Sequence, residues 1–500
     1  MDLVSNLSLG FSVAMTPMSL LICLAGVTLG MVVGVLPGLG AITAIAMLLP
    51  VTFYLEPMHA LIMLAGIYYG AAFGGSTASI LMNLPGTPSS AITALDGYPL
   101  AQRGKAGVAL LVTALTSFVG GTVGVVLLAT LAPALVQVAL GFSSAEYFSV
   151  MLLGLIAAVT LADGGPVRGL IAVAIGLLFG LVGADPQTGA VRYGFGIPEM
   201  FDGFNLVAVV MGLFGVAEVL SNVGKEGGRP STTRMPLRDM LPNRQELKET
   251  VGPTLRGSLV GSLVGILPGT GVLVASFMAY ALEKKVSKTP WKFGKGAIEG
   301  ISAPEAANNA ATQTAFIPTL AIGIPGDAVM AIMLSALIIH GITPGPTVIA
   351  SQPELFWGLV ASFWIGNLIL LVMNIPLVGI WVKLLSIPYR LLFPSIILFI
   401  CIGVHSVNNS VFDVFVALGF GLLGLLMRGI GLSAAPLLLG FVLGPMMESH
   451  FRRALTLARG DLAVFVERPV SAAFLGLCLL FVASWVLAAR SAARRRARVG

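Results

Sequence analysis

Charge is scarce in this 500-residue chain: Asp, Glu, Lys and Arg make up 10% of it, where an ordinary globular chain carries about 25%. Cysteine is scarcer still. Cys23, Cys401 and Cys478 each stand alone in apolar sequence, which excludes a disulfide framework and a cysteine-based metal site. The four histidines, His59, His340, His405 and His450, form no His-Glu-x-x-His pattern, and neither Gly-x-x-x-x-Gly-Lys-Ser/Thr nor Gly-x-Ser-x-Gly occurs. Zinc proteolysis, nucleotide hydrolysis and serine-hydrolase chemistry therefore lack their residues. We expect no enzyme, no metal site and no cofactor beyond a coupling cation, Na⁺ or H⁺. A basic leader is also missing, since Asp2 precedes the first apolar stretch, so the first helix is expected to be retained.

What is abundant is hydrophobic residues, 57% of the chain. Apolar stretches near the length of a membrane span, about 20 residues, recur from around Leu20 to around Ala489. The fold expected is an all-α polytopic membrane protein with about 10–14 membrane segments. The net charge of +6 comes mostly from short basic loops and the tail Arg490, Arg494, Arg495, Arg496 and Arg498, a pattern of cytoplasmic flanks facing lipid rather than nucleic acid.

Candidate segments lie near 18–36, 39–55, 58–82, 106–135, 145–162, 168–184 and 203–221, then 254–282, 304–322, 327–340, 354–384, 388–404, 411–428, 433–447 and 470–489. The division expected is a first membrane repeat over 1–221, a basic cytoplasmic linker over 222–253, a second repeat over 254–447, and a C-terminal segment over 448–500 with the last transmembrane helix and the Arg-rich tail. Two phrases carry the repeat. Gly34-Val35-Leu36-Pro37-Gly38-Leu39-Gly40 returns as Gly265-Ile266-Leu267-Pro268-Gly269-Thr270-Gly271, a shift of 231 residues; Pro85-Gly86 returns as Pro325-Gly326, a shift of 240.

Loop charge indicates that the copies are inverted. The linker and the loop from Glu283-Lys284-Lys285 to Lys295 are both basic, so the 254–282 segment begins and ends on the cytoplasmic side, as a re-entrant hairpin. Each arm of about 13 residues reaches about 20 Å, near the bilayer midplane. In the first copy the loop Glu56-Pro57-Met58-His59 lacks Lys and Arg while Gln102-Arg103-Gly104-Lys105 is basic; the second copy reverses this, with no basic residue from Ile342 to Pro353. Arg452, Arg453 and Arg459 compete with the Arg tail for the cytoplasm, which leaves the side of the C-terminus open.

Pro with closely spaced Gly breaks a helix, and at membrane depth the freed backbone groups need protein or a polar cavity around them. A helix restarting after each of the four Pro-Gly breaks presents N–H groups suited to an anion. Such breaks also serve simply as kinks or as close-packing points. The candidate anion contacts are Gly38, Gly40, Thr43, Asn83, Gly86, Thr87 and Ser89 in the first half, and Gly269, Thr270, Gly271, Asn308, Asn309 and Gly326 in the second. Candidate ion-coupling residues are Ser76, Thr77, Thr312, Gln313 and Asp327. Glu305, Asn308, Asn309 and Thr312 share one helical face, a polar stripe that must meet a cavity or another helix. Hydroxyls and amides in such places also cap or bond backbone; Asp327 is a natural cap after Pro325-Gly326, and Glu305 complements a helix start after Pro304. Asp163, Asp185, Asp202 and Glu218 read as segment-boundary residues reached by water.

The motifs Gly34 to Gly40, Tyr68-Tyr69-Gly70-Ala71-Ala72-Phe73-Gly74-Gly75-Ser76-Thr77, Asn83-Leu84-Pro85-Gly86-Thr87-Pro88-Ser89-Ser90 and Pro304-Glu305-Ala306-Ala307-Asn308-Asn309-Ala310-Ala311 together resemble the TctA family, the large membrane subunit of tripartite tricarboxylate transporters. The likeness continues through Gly97-Tyr98-Pro99-Leu100, Arg103-Gly104-Lys105-Ala106-Gly107 and Arg459-Gly460-Asp461. This resemblance implies a multi-pass permease of the bacterial inner membrane, with a small membrane subunit and a periplasmic solute-binding protein as partners. It also implies import of citrate or a related organic carboxylate by Na⁺ or H⁺ symport. A passive anion channel, an intramembrane enzyme and an assembly scaffold are the competing readings.

Overall fold

The computed structural model describes residues 3–36, 40–161, 165–185, 188–222, 240–267, 271–384 and 389–499. The chain is an all-α polytopic membrane protein. Its helices are, in the first half, α1 (Leu3–Ala14), α2 (Pro17–Val35), α3 (Gly40–Thr52), α4 (Pro57–Met82), α5 (Ala91–Leu100), α6 (Ala106–Ala139), α7 (Ser144–Leu161), α8 (Pro166–Gly180), α9 (Leu206–Val210) and α10 (Ala217–Asn222). The second half holds α11 (Arg244–Ile266), α12 (Gly271–Val286), α13 (Glu299–Thr314), α14 (Phe316–Ile322), α15 (Ala328–Ile339), α16 (Thr347–Ser351), α17 (Pro353–Asn374), α18 (Val378–Leu384), α19 (Tyr389–Asn408), α20 (Val411–Gly429), α21 (Ala434–Leu457), α22 (Val464–Glu467) and α23 (Pro469–Val499). Among the described residues, five helical stretches are long and apolar enough to cross a membrane: α2, α4, 88–139, α17 and α20.

Local chemistry sets many of these ends. Pro occupies the first turn of α2, α4, α8 and α17, where its missing N–H has no intrahelical partner to lose. Asn243 accepts from the backbone N–H groups of Gln245 and Glu246, and the Glu246 carboxylate accepts from the Asn243 N–H at 2.8 Å, a reciprocal cap that starts α11 at Arg244. The helix thus begins ten residues before the expected membrane segment at 254. The expected 304–322 segment is likewise two helices, α13 from Glu299 and α14, so that Pro304 lies inside α13.

The helices form two compact units. One comprises residues 1–136 and 207–425. In it α2 packs along α4, and α11 packs along α13, more extensively than any other pairs. Both contacts are glycine-lined. A Cβ on Gly26, Gly30 or Gly34 would run into the backbone of Met63, Ile67 or Ala71, and one on Gly257, Gly261 or Gly265 would run into that of Ala303, Ala307 or Ala311. Such glycine rows let helix backbones touch where lipid supplies no hydrophobic drive. The other unit comprises residues 137–206 and 426–500. Its α21 packs on α8 and α7, and α23 on α7. A two-residue antiparallel ladder pairs Gly183 with Arg192 and Ala184 with Val191.

Asp185 does not match the expectation of a water-reached boundary residue. It is 6% exposed and is held by Arg192 and by Arg452, whose Nη1 lies 2.9 Å away, while Glu448 bridges the same two arginines.

Candidate functional site

The duplication visible in sequence is also a duplication of contacts. The glycines of α2 and α11 are related by the 231-residue shift, and their contact residues on α4 and α13 by the 240-residue shift. Backbone conformation follows the same rule. Gly40 (φ +57°) starts α3 and Gly271 (φ +67°) starts α12. Asn83 (φ 56°) ends α4 with its N–H donated to Ser79 O, and Gly323 (φ +79°) ends α14 with its N–H donated to Thr319 O. Left-handed backbone at a helix end suits Gly and, next best, Asn. Asn83 is thus accounted for by its backbone.

Around the first-half break the parts are closely packed. The Gly86 N–H donates to Gly75 O at 3.4 Å, and a Cβ on Gly86 would strike Gly34 O. Thr87 N–H donates to Ser90 Oγ at 3.2 Å; Thr87 Oγ1 and Ser89 Oγ lie 3.3 Å apart, both residues buried. Around the second-half break, Gly326 packs against Ala315, the counterpart of Gly75. Asp327 caps α15 as expected, accepting from Met330 N–H at 2.8 Å, and its other oxygen accepts from the Tyr68 hydroxyl at 2.6 Å. Gly271 stands against Asp327, with 3.8 Å between an ideal Gly271 Cβ and the Asp327 Cβ. The halves also interlock: α3 packs on α15, and α12 packs on the turn Pro88–Ser90. The flanks of all four breaks are therefore tied together within one unit, although Pro37, Gly38, Leu39, Pro268, Gly269 and Thr270 lie outside the described residues.

The stripe on α13 runs beside these breaks, and α13 touches α4, α5 and the Pro88–Ser90 turn. Asn308, Asn309, Thr312 and Gln313 are at most 1% exposed. Thr312 donates to Asn308 O at 2.9 Å, and Asn309 Nδ2 to Glu305 O at 3.1 Å. Both side-chain polar atoms of Asn308 and of Gln313, and Oδ1 of Asn309, have no hydrogen-bond partner among the described residues. A buried amide left unpaired costs roughly 1–3 kcal/mol, so this stripe is built at a price in stability that a bound polar group would offset.

Glu305 does not complement a helix start. It sits in the second turn of α13, fully buried, and accepts from Ser76 Oγ (2.7 Å), Thr93 Oγ1 and Ser117 Oγ (3.3 Å). Ser76 is thereby joined to the acid. Of the other expected residues, Thr43 donates to Phe214 O at 3.1 Å, and Thr77 is buried on α4. Sequence reasoning gave no site role to Tyr68, Thr93, Ser117 or Asn367. The last is a fully buried amide of α17 against Gly121, also without a partner among the described residues. Only Tyr68 carried a local signal, a polar ring within a glycine-rich apolar helix.

An uncharacterized 52.8 kDa protein in the TAR-I ttuC' 3' region of Agrobacterium vitis is 51% identical over 482 residues, 96% of each chain. An uncharacterized protein in the TAR-II ttuC' 3' region of the same organism is 57% identical over 217 residues, covering 43% of this chain and 90% of that relative. No solved structure matches the chain. Residues 20–439 match the tripartite tricarboxylate transporter TctA family, and together with the 51% identity over nearly the whole length this places the chain in it: the protein is a member of the TctA family of tripartite tricarboxylate transporters.

Proposed function

We propose that this chain is the permease subunit of a binding-protein-dependent secondary transporter in the bacterial inner membrane, importing tricarboxylates or related organic carboxylates by Na⁺ or H⁺ symport. The observation that carries this reading is the buried amide stripe of α13, in which Asn308 and Gln313 keep unpaired amide donors beside the duplicated breaks while Asn309 leaves only its Oδ1 unpaired. A carboxylate is acceptor-only and takes amide, hydroxyl and backbone N–H donors without requiring a buried cation. Thr87, Ser89, Gly271 and Gly326 supply the remaining contacts, the Gly86 N–H being already given to Gly75 O, and the interlocked repeats give two walls that rock about them. A small membrane subunit and a periplasmic solute-binding protein complete the system; the latter delivers the substrate.

The test is uptake of a labelled carboxylate panel into proteoliposomes that hold both membrane subunits and the binding protein, with Na⁺ and pH gradients varied separately. Accumulation that needs the binding protein and one gradient is the expected result. No accumulation under any gradient overturns symport, and flux without binding protein or gradient indicates a channel. Conversion of substrate in detergent indicates an enzyme, and transport that survives Asn308→Ala with Pro85→Ala a scaffold.

A further inference from the structure

Two fully buried carboxylates, one helical turn apart in their attachment to α5, are held by opposite chemistry. Asp96 accepts from the backbone N–H groups of Lys295 (3.1 Å), Gly296 (2.8 Å) and Ala297 (2.7 Å) and from the Tyr280 hydroxyl (2.8 Å). A backbone N–H only donates. Glu305 accepts from three hydroxyls on three different elements, Ser76 of α4, Thr93 of α5 and Ser117 of α6. A hydroxyl both donates and accepts, so each of these partners can reverse. Ser76 has a second acceptor within reach, Ala72 O at 3.4 Å. When it turns its hydrogen there, its oxygen is free to accept a proton carried by Glu305. The same heavy-atom positions thus hold both the carboxylate and the carboxylic acid.

The nest fits a proton better than a metal ion. Oxygen ligands stand about 2.3–2.6 Å from a cation of calcium size, whereas the Ser76 and Glu305 oxygens are already in direct contact at 2.7 Å, with no gap between them. Among the described residues no Lys, Arg or His pairs with Glu305. Several other titratable or charged groups on the elements packed around α13 have their own partners. Tyr68 bonds Asp327, and Tyr69 lies beside Cys23; Asp96 is held as above; Arg256 of α11 pairs with Glu283 of α12. Glu299 precedes Glu305 on the same helix, and α6 carries no titratable side chain. Asp327 differs in kind, because one of its oxygens is committed to the Met330 N–H.

We propose that Glu305 is the proton-carrying residue of this transporter, an inference that rests on the symport reading above. In each cycle Glu305 takes one proton from water on the outer side as the substrate carboxylate enters, and the O–H bond formed on its carboxyl neutralises it. On the inner side it returns that proton to water and is again a carboxylate. The link to substrate is electrostatic: Asn308 and Asn309 lie one helical turn beyond Glu305 on the same face of α13, so charge on Glu305 opposes a second carboxylate at the amide stripe and protonation removes the opposition.

The test uses the reconstituted system with both membrane subunits and the binding protein. Substrate addition to wild-type proteoliposomes that hold an entrapped pH dye is expected to drive H⁺ inward. Glu305→Gln is expected to lose pH-gradient-driven accumulation by about tenfold or more while substrate counterflow falls far less, since the coupling and not the binding is removed. Glu305→Asp, which restores a carboxyl, is expected to recover gradient-driven uptake. Wild-type uptake that is driven by Na⁺ alone with no H⁺ influx overturns the role of Glu305 and leaves the symport reading standing, and this arm holds even where Glu305→Gln cannot be recovered from the membrane. Gradient-driven accumulation that survives Glu305→Gln but is lost in Asp327→Asn also overturns it.

Discussion

Removing the Asp96 carboxylate should loosen the entry to α13 by a calculable amount. The carboxylate gathers three backbone N–H groups and the Tyr280 hydroxyl. These groups are not equally dry: Lys295 is exposed, Gly296 half-buried and Ala297 buried. In Asp96→Ala, water reaches the first N–H, partly serves the second and leaves the third unpaired, at roughly 1–3 kcal/mol for a fully buried group. With the Tyr280 hydroxyl also left without its acceptor, the loss is about 2–4 kcal/mol. Asp96→Asn keeps one oxygen for the N–H groups and should lose about 1–2 kcal/mol, and Tyr280→Phe removes a single bond at about 1 kcal/mol. If the turn opens locally, amide hydrogen exchange at Gly296 and Ala297 should quicken by about 30- to 1000-fold in Asp96→Ala. The assay is exchange mass spectrometry on the detergent-solubilised protein, reading the peptide over 293–300. Unchanged exchange there in Asp96→Ala, or a larger effect from Tyr280→Phe than from Asp96→Ala, would refute the reasoning.

Two further outcomes concern stability. Gly30→Val and Gly261→Val should each destabilise the detergent-solubilised protein by about 1–3 kcal/mol through overpacking, and by similar amounts, because each lies at the equivalent position of a duplicated helix contact; Gly419→Ala on α20, where nothing lies within 4 Å of an added Cβ, should be neutral or stabilising by up to about 1 kcal/mol. Thermal unfolding followed by size-exclusion chromatography checks the set, and equal tolerance of all three would sink the packing argument. The second outcome concerns Lys105 Nζ and Glu246 Oε1, 2.6 Å apart. Burial pushes the Glu246 carboxyl up, but the Lys105 ammonium and the Asn243 N–H outweigh it and hold the group below its ordinary value. The folded protein then binds this proton more weakly than the unfolded chain, so the stabilisation is present above the ordinary Glu range and is lost as pH falls through the lowered folded value. Since Lys105 is half exposed, the contribution is about 0.2–1 kcal/mol. It should appear as an acid-side fall in unfolding temperature that Glu246→Gln abolishes.

The parts of the fold legible in sequence are those whose cause is local. Pro at a helix start, Gly or Asn at a left-handed helix end, and the two Pro-Gly phrases marked most boundaries within a few residues, because each acts on its own backbone. The duplication was legible for the same reason: both copies keep the same conformational demands, as Gly40 and Gly271 do with positive φ and as Asn83 and Gly323 do at the ends of α4 and α14. The capping of α15 by Asp327 was legible, but its bond to Tyr68 was not, since the partner is 259 residues away.

The start of α13 shows why the acid at its centre escaped a local reading. Pro304 is an acceptable first-turn residue, and a sequence that offers it next to Glu305 suggests a helix beginning there. The true start is Glu299, and what organises the turn before it is Asp96, about 200 residues away along the chain, gathering the N–H groups of residues 295–297. That remote clasp moves the helix start back by more than a turn. Glu305 is then carried from an end, where its charge would complement backbone N–H groups, into the helix interior. There Ser76, Thr93 and Ser117 converge on it from α4, α5 and α6. Single hydroxyls in apolar helices most often bond their own backbone, so none of the three announces a partner. Asp96 and Thr93 lie one turn apart on α5, so the same short helix both fixes where α13 begins and supplies one of the hydroxyls that the displaced acid requires.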